Sequence, residues 1–234
     1  MLASTGKTMR FLIPTALAIL TFTGCRRAPS PVTVTPPLPV AATVARPSSQ
    51  SVIVEPGMNL RAIAAAAYGH ERFSGFVAAV NGITDPERIV AGQELKTPSL
   101  SSAFRDVGLD PRYQPAIDAL VKACTDYQAA EPAYLKARRD SGVSAGTFTV
   151  PENIRATFTG CADSIDAATA TLGMVKPPDK VPKMTIDQFR QVSGLIRELA
   201  SGSIDGYGYD SDLVGQRFGL AFTNAILWTQ HRHQ

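Results

Sequence analysis

The side chains best suited to acid–base chemistry in this sequence are carboxylates in its C-terminal half: Glu131, Glu152, Asp163 and Asp166. A pair of carboxylates on either side of a glycosidic bond is the usual machinery for its hydrolysis. All four, however, fall on amphipathic helical patterns, where carboxylates most often form the solvated face. We therefore interpret them as surface residues and expect no catalytic residue, with a hydrolase kept as an alternative.

Metal chemistry has little support in the sequence. Of the three histidines, His231 and His233 have the wrong spacing to be ligands on one helical face, and His70 stands alone. The acidic run from Asp205 to Asp212 lacks the spacing and the closing Glu of an EF-hand loop. We interpret the run as a turn followed by a helix N-cap, and we expect neither a metal nor a cofactor.

Four amphipathic patterns in residues 100–234 would position these side chains. Apolar residues recur in them at helical spacing, and short connectors separate them. The first begins at Pro111 and ends near Gly142, the second begins after Pro151, and the others carry the stripes Ile186–Leu199 and Val214–Trp228. Ser99–Asp110 is expected to be a connector. The pattern predicts an all-α domain, an antiparallel four-helix bundle of unknown function.

The N-terminus has the pattern of an export signal. Lys7 and Arg10 precede an apolar stretch, Phe11–Phe22, that is too short for an ordinary membrane span. The stretch ends in Thr23-Gly24-Cys25, which resembles the lipobox of bacterial lipoproteins. That resemblance implies a signal peptide over residues 1–24 and a diacylglycerol on the sulfur of Cys25. Since no Asp follows Cys25, we expect the periplasmic face of the outer membrane.

Residues 25–50 are expected to be a disordered tether that begins with the lipidated cysteine. The stretch from 26 to 50 contains six prolines and no acidic or aromatic residue, so it cannot bury enough surface to fold. Residues 1–50 hold five basic and no acidic residues, whereas segments 51–99 and 100–234 each carry one more acid than base. The folded parts are therefore near neutral, which argues against a nucleic-acid partner.

Cys124 and Cys161 lie on the apolar stripes of two consecutive predicted helices. An exported chain meets oxidising conditions, and these are the cysteines left besides Cys25. A hairpin of the two helices would bring them to a similar height. We expect a disulfide between them, with two buried thiols as the alternative.

Residues 51–99 show the order strand, helix, helix, strand. A β-branched run from Val52 to Val54 ends at Pro56-Gly57, and Asn59 is a suitable N-cap for the helix that follows. Gly69 is the expected C-cap of that helix. A second helical pattern runs from Phe73 to Val80, and a closing strand from Gln93 to Thr97. The two strands are expected to pair beside the helices in an α+β, βααβ module.

The segment resembles the LysM domain over its whole length. The motifs that carry the resemblance are Val54-Glu55-Pro56-Gly57, Leu60, Ile63-Ala64, Tyr68-Gly69, Asn81-Gly82-Ile83 and Gly92-Gln93-Glu94-Leu95 before Pro98. Members of this family bind glycans that contain N-acetylglucosamine, chiefly peptidoglycan or chitin. One departure is Met58-Asn59, where the family often has Asp-Thr, so the glycan preference stays open.

The resemblance implies a groove between the loop Gly57–Leu60 and the loop Asn81–Asp85. The residues it assigns to glycan contact are Gly57, Met58, Asn59, Leu60, Asn81, Gly82, Ile83 and Thr84. The predicted function is that of a non-enzymatic, lipid-anchored envelope protein that binds peptidoglycan. The alternatives are a cell-wall hydrolase targeted by the module and an assembly factor whose helical domain binds another envelope protein.

Overall fold

Two short strands, β1 (Ser51–Ile53) and β2 (Glu94–Lys96), pair antiparallel and enclose two helices along the chain. The computed structural model describes residues 51–143, 146–175, 180–204 and 211–231. The predicted signal peptide, the tether, Cys25 and the acidic run before Ser211 lie outside the described residues. In the sheet Val52 stands opposite Leu95, which is buried, so this pair faces the core.

Helix α1 (Leu60–Tyr68) begins and ends as its sequence predicts. The Asn59 side chain accepts a hydrogen bond from the Ala62 amide at 2.9 Å, which satisfies one of the free N–H groups of the first turn. Gly69 has a φ of +79° and its amide bonds the Ala65 carbonyl, so it is a left-handed C-cap. Both predicted caps are confirmed.

The second helical pattern forms two elements instead of one. Glu71–Phe73 is a turn of 3-10 helix, and α2 (Ser74–Val80) follows it directly. A further 3-10 turn, Pro86–Arg88, lies in the loop between α2 and β2. Phe73 and Phe76 are both fully buried, and their ring centroids lie 5.7 and 5.5 Å from that of Tyr68.

The expected connector after β2 contains a helix, α3 (Leu100–Asp106), so that prediction is wrong. The Ser99 hydroxyl caps it by accepting from the Ser102 amide at 3.1 Å. Leu100, Ala103 and Phe104 form its buried face. Three apolar residues at helical spacing are enough here because the helix packs against both α4 and α7.

Four long helices make up most of the remaining chain: α4 (Gln114–Ser141), α5 (Glu152–Gly173), α6 (Lys183–Ser201) and α7 (Ser211–His231). Helix α5 packs against α4 and α6, and α7 packs against α6. Two-residue strands β3 (Gly146–Thr147) and β4 (Ser203–Ile204) pair antiparallel beside them. The described part of the chain is therefore mostly helical with two small sheets. Among the described residues no helix is long and apolar enough to cross a bilayer.

Cys124 and Cys161 are free thiols in the structure, so the expected disulfide is absent. Both side chains are buried in the packing of α4 and α5, where they serve as small apolar residues. Burial raises the pKa of Cys124 well above its ordinary range and that of Cys161 to about 11. The alternative of two buried thiols describes them.

Helix α7 joins the helices to the βααβ segment. Phe222 on α7 is fully buried, and its ring centroid lies 6.2 Å from that of Phe73 and 6.4 Å from that of Phe104. Gly219 lies so close to the 3-10 turn that a Cβ there would be 2.2 Å from the Arg72 carbonyl oxygen. Apolar residues of both segments thus belong to one continuous core.

Candidate functional site

A cleft of about 470 Å³ opens between the start of α1 and the loop that follows α2. Two of the elements that form it are fixed by local bonds. Asn59 caps α1, and the Asp85 side chain accepts from the Glu87 amide at 3.1 Å, which holds the 3-10 turn. The residues that line the cleft are Asn59, Leu60, Arg61, Ser74, Pro86 and Glu87.

The polar side chains of this cleft are only partly used by the fold. Asn59 commits its carbonyl oxygen to the helix cap, while its amide nitrogen has no partner among the described residues. The side chains of Arg61 and Glu87 are exposed and form no hydrogen bond or ion pair within the described part of the chain. The half-buried Ser74 hydroxyl likewise forms no hydrogen bond within the described part of the chain. The cleft therefore offers both hydrogen-bond donors and hydrogen-bond acceptors to a ligand.

Apolar contact in the cleft comes from Pro86 and Leu60. Pro86 is exposed, so its ring is available to the face of a flat or puckered ligand. Leu60 is only 3% exposed and belongs to the core, so it forms part of the floor and offers little surface. No aromatic residue is among the six lining residues. The cleft thus suits a ligand that is rich in hydroxyl and amide groups and only moderately apolar.

In the loop after β1, Gly57 forms a turn and Met58 packs against the core. Gly57 has a φ of +85° and an open surrounding, as a turn residue would. Met58 is half-buried against the core and lines a separate apolar cavity of about 150 Å³ together with Ala62 and Ala66. Neither residue is part of the described lining of the 470 Å³ cleft.

Asn81, which the resemblance assigns to glycan contact, uses its side chain to hold strand β2. Its Oδ1 accepts from the Lys96 amide at 2.7 Å, and its Nδ2 donates to the carbonyls of Lys96 and Val77 at 2.9 and 2.8 Å. Both hydrogens of its side-chain amide and one of the two lone pairs of Oδ1 are therefore used within the fold.

The residues after Asn81 lie on the same loop but outside the described lining of the cleft. Gly82 has a φ of +64°, and Ile83 is half-buried against the core. Thr84 is exposed and has no partner among the described residues. Of the eight predicted contact residues, the structure brings Asn59 and Leu60 to the cleft.

Four lining residues were not predicted: Arg61, Ser74, Pro86 and Glu87. Arg61 and Pro86 come one position after the two predicted loops end, so a slightly wider window would have included them. Ser74 begins α2 and faces the cleft because the 3-10 turn before it shifts the start of the helix. No sequence pattern indicates that shift.

The four carboxylates considered for hydrolysis each have a partner within the fold. Arg197 pairs with Asp163 and Asp166 at 2.6 and 2.7 Å, and Glu152 pairs with Arg155. Glu131 accepts a hydrogen bond from the Tyr127 hydroxyl at 3.2 Å.

The Tyr127 phenol donates to Glu131 because it stays protonated. Burial is the main cause that raises its pKa, and the nearby Glu131 carboxylate raises it further. Within the described ranges no group of His, Cys, Asp and Glu side chains has the arrangement of a metal site.

Comparison of the chain with known protein families, with curated proteins and with solved structures finds no match.

Proposed function

We propose that this protein binds the glycan strands of peptidoglycan through residues 51–99, which we interpret as a LysM module. The proposal includes a lipid anchor at Cys25, a location at the periplasmic face of the outer membrane, and an antiparallel four-helix bundle formed by α4–α7. The protein would act without catalysis, by holding the cell wall at a set distance from the membrane.

The observation that carries the proposal is the position of the 470 Å³ cleft. It lies between the start of α1 and the loop after α2, the two places to which the resemblance assigns glycan contact. The side chains of Arg61, Ser74 and Glu87 in the cleft have no partner within the described chain, whereas Asn81 and Asp85 beside it bond the backbone. A surface that keeps hydrogen-bonding groups free while its frame is rigid is suited to binding.

The chemistry of the cleft fits an N-acetylated sugar. The free amide nitrogen of Asn59 and the guanidinium of Arg61 are donors for an acetyl carbonyl or for ring hydroxyls. The Glu87 carboxylate accepts from sugar hydroxyls, and the Pro86 ring provides an apolar contact for the sugar face. Because these groups are exposed, we expect a weak single site, which attachment to the membrane near the wall would strengthen.

Cosedimentation of the full chain with insoluble peptidoglycan and with chitin tests the proposal. We expect the unchanged protein to appear in the pellet with peptidoglycan, and the double variant R61A/E87A to bind at least about tenfold more weakly, a loss of about 1.4 kcal/mol. The matched control is R155A/E152A, which removes the same residue types from the exposed surface of α5. It should sediment like the unchanged protein.

Two results would count against the proposal. If the unchanged protein remains in the supernatant with both polymers, glycan binding is refuted. If R61A/E87A and R155A/E152A sediment equally well, binding occurs elsewhere and the cleft is not the site. Circular dichroism spectra of both variants should match that of the unchanged protein, because all four side chains are exposed.

A further inference from the structure

A second cleft, of about 450 Å³, lies between the outer face of the β1–β2 sheet and helix α3. The strand register explains which side chains of the sheet point toward this cleft. Val52 and Leu95 face the core, so the neighbouring pairs, Ser51 with Lys96 and Ile53 with Glu94, face the opposite side of the sheet. Ser51, Glu94 and Lys96 line the sheet side of the cleft.

The helix side of this cleft carries Asp106 and Val107, the last residue and the C-cap of α3. A carboxylate is unfavourable at the C-terminal end of a helix, where the backbone carbonyls already concentrate negative charge. Asp106 therefore does not stabilise the helix on which it lies. Its position favours a role toward a cation in the cleft.

The three charged side chains of the cleft have no internal partners. No ion pair or side-chain hydrogen bond links Glu94, Lys96 or Asp106 to each other or to another residue of the described chain. Elsewhere on the surface, acidic and basic residues commonly pair, as Lys122 does with Asp126. Two carboxylates and one ammonium group thus line one cavity and remain available.

Lys96 extends from a backbone that is held on both sides. Its amide and carbonyl are bonded by Asn81, at 2.7 and 2.9 Å, and its strand pairs with β1. Because this backbone is already ordered, binding at Lys96 does not carry the additional entropic cost of ordering the strand. The apolar walls of the cleft are Val80 and Val107.

We propose that this second cleft binds a short zwitterionic peptide. A ligand ammonium group would lie between Glu94 and Asp106, a ligand carboxylate would pair with Lys96, and aliphatic parts would contact the valines. This identification of the ligand rests on the proposed function. The peptides of peptidoglycan have the required chemistry because they carry free amines and carboxylates beside the glycan. The protein would then recognise both components of the wall.

The test is a titration of the nitrogen-15-labelled full chain with the tripeptide L-alanyl-γ-D-glutamyl-meso-diaminopimelate, followed by amide chemical shifts. We expect saturable shifts at Glu94, Lys96, Asp106 and Val107. The same peptide with its amines acetylated and its carboxylates amidated should produce none. In K96M the apparent affinity for the charged peptide should fall at least about fivefold, and D106N should weaken it similarly.

The matched control variants are K136M and D140N, which alter an exposed pair on α4. They should bind the tripeptide like the unchanged chain. Absence of saturable shifts, equal binding of the blocked peptide, or unaltered affinity in K96M would each overturn the proposal. A parallel titration with N-acetylglucosamine tetramer separates the two proposals, because failure of that arm alone counts against glycan binding and leaves the peptide site standing.

Discussion

The βααβ segment has two surfaces that treat their polar and apolar groups in opposite ways. The docking face, formed by His70, Arg72, Phe73 and Gly75, is packed against α7. Asp212 at the start of α7 lies 3.2 Å from His70 Nε2 and 2.9 Å from the Arg72 guanidinium. His70 Nδ1 in turn accepts from the Arg72 amide at 3.1 Å. On this face the His70 ring and the Arg72 Nη2 group have internal partners, while the buried Arg72 Nε forms no hydrogen bond within the described chain.

The cleft face is formed by Asn59, Arg61, Ser74, Pro86 and Glu87. Apart from Asn59 Oδ1, which caps α1, its polar side-chain groups have no such partner within the described chain. Both faces lie within one short segment and share its helices, so general differences in composition do not explain the contrast. The docking face contributes to stability and fixes the orientation of the segment, while the cleft face keeps exposed polar groups, as the proposed ligand site requires. The contrast also means that residues 51–99 alone would expose Phe73, and binding experiments need the whole chain.

The largest expected effect is that of F222A, which removes the centre of the docking interface. Phe222 is fully buried and its ring lies 5.1 Å from Phe189 as well as near Phe73. We expect a loss of about 3–5 kcal/mol in the free energy of unfolding, measured by urea titration. L220A on the same helix, where the side chain is 41% exposed, should cost less than about 1 kcal/mol. Equal costs would contradict the docking interface.

The next effect is that of G219A, at which a Cβ would meet the Arg72 carbonyl at 2.2 Å. Alanine normally stabilises a helix interior relative to glycine, but here the backbone of the 3-10 turn must move, and we expect a net loss of about 1–3 kcal/mol. The control is G160A on α5, where no atom lies within 4 Å of the added Cβ. It should gain about 0.5–1 kcal/mol, so a gain in both variants would show that α7 does not pack closely on the turn.

D212N should have a smaller effect, because its partners are partly exposed. Side chains of His70, Arg72 and Asp212 are 17%, 34% and 50% exposed, so water and salt screen the interaction. We expect a loss of less than about 1 kcal/mol that shrinks as the salt concentration rises. D140N, at a more exposed pair, should cost still less. A salt-independent loss would mean that the contribution of Asp212 is not electrostatic.

The smallest expected effect on stability belongs to R61A/E87A on the cleft face. These side chains have no internal partner in the described structure, so the free energy of unfolding should change by no more than about 0.5 kcal/mol. Thermal unfolding followed by circular dichroism gives the comparison with F222A. Surface substitutions rarely cost more than about 1–2 kcal/mol. A larger cost in R61A/E87A would mean that these residues support the fold, and it would remove the contrast between the two faces.

Local features of this fold could be predicted from the sequence, and the docking interface could not. Asn59, Gly69 and Gly142 act as helix caps through bonds to residues within four positions, so a short pattern contains the necessary information. The pairing of Arg72 with Asp212 joins residues 140 positions apart. The glycines that permit the contact, Gly215 and Gly219, look like ordinary helix-weakening residues until their neighbours are known.

The predicted groove and the predicted contact residues compare differently with the structure. The sequence places a groove between two loops, and the structure has a cleft there, yet Asn81 turns its amide toward Lys96. An asparagine at a turn has the same sequence signature whether it bonds a ligand or the backbone 15 positions away. Helix α3 was missed for a related reason, since its stripe is too short to stand out before its neighbours are known.

The most direct test of glycan binding at the cleft is a titration of the nitrogen-15-labelled full chain with N-acetylglucosamine tetramer. We predict saturable amide shifts at Asn59, Arg61, Ser74 and Glu87, with Gly219 and Phe222 on the docking side unaffected. Shifts confined to another surface would contradict the account. So would the absence of saturable shifts at millimolar tetramer, a concentration at which even a weak binding free energy of about −4 kcal/mol gives measurable binding.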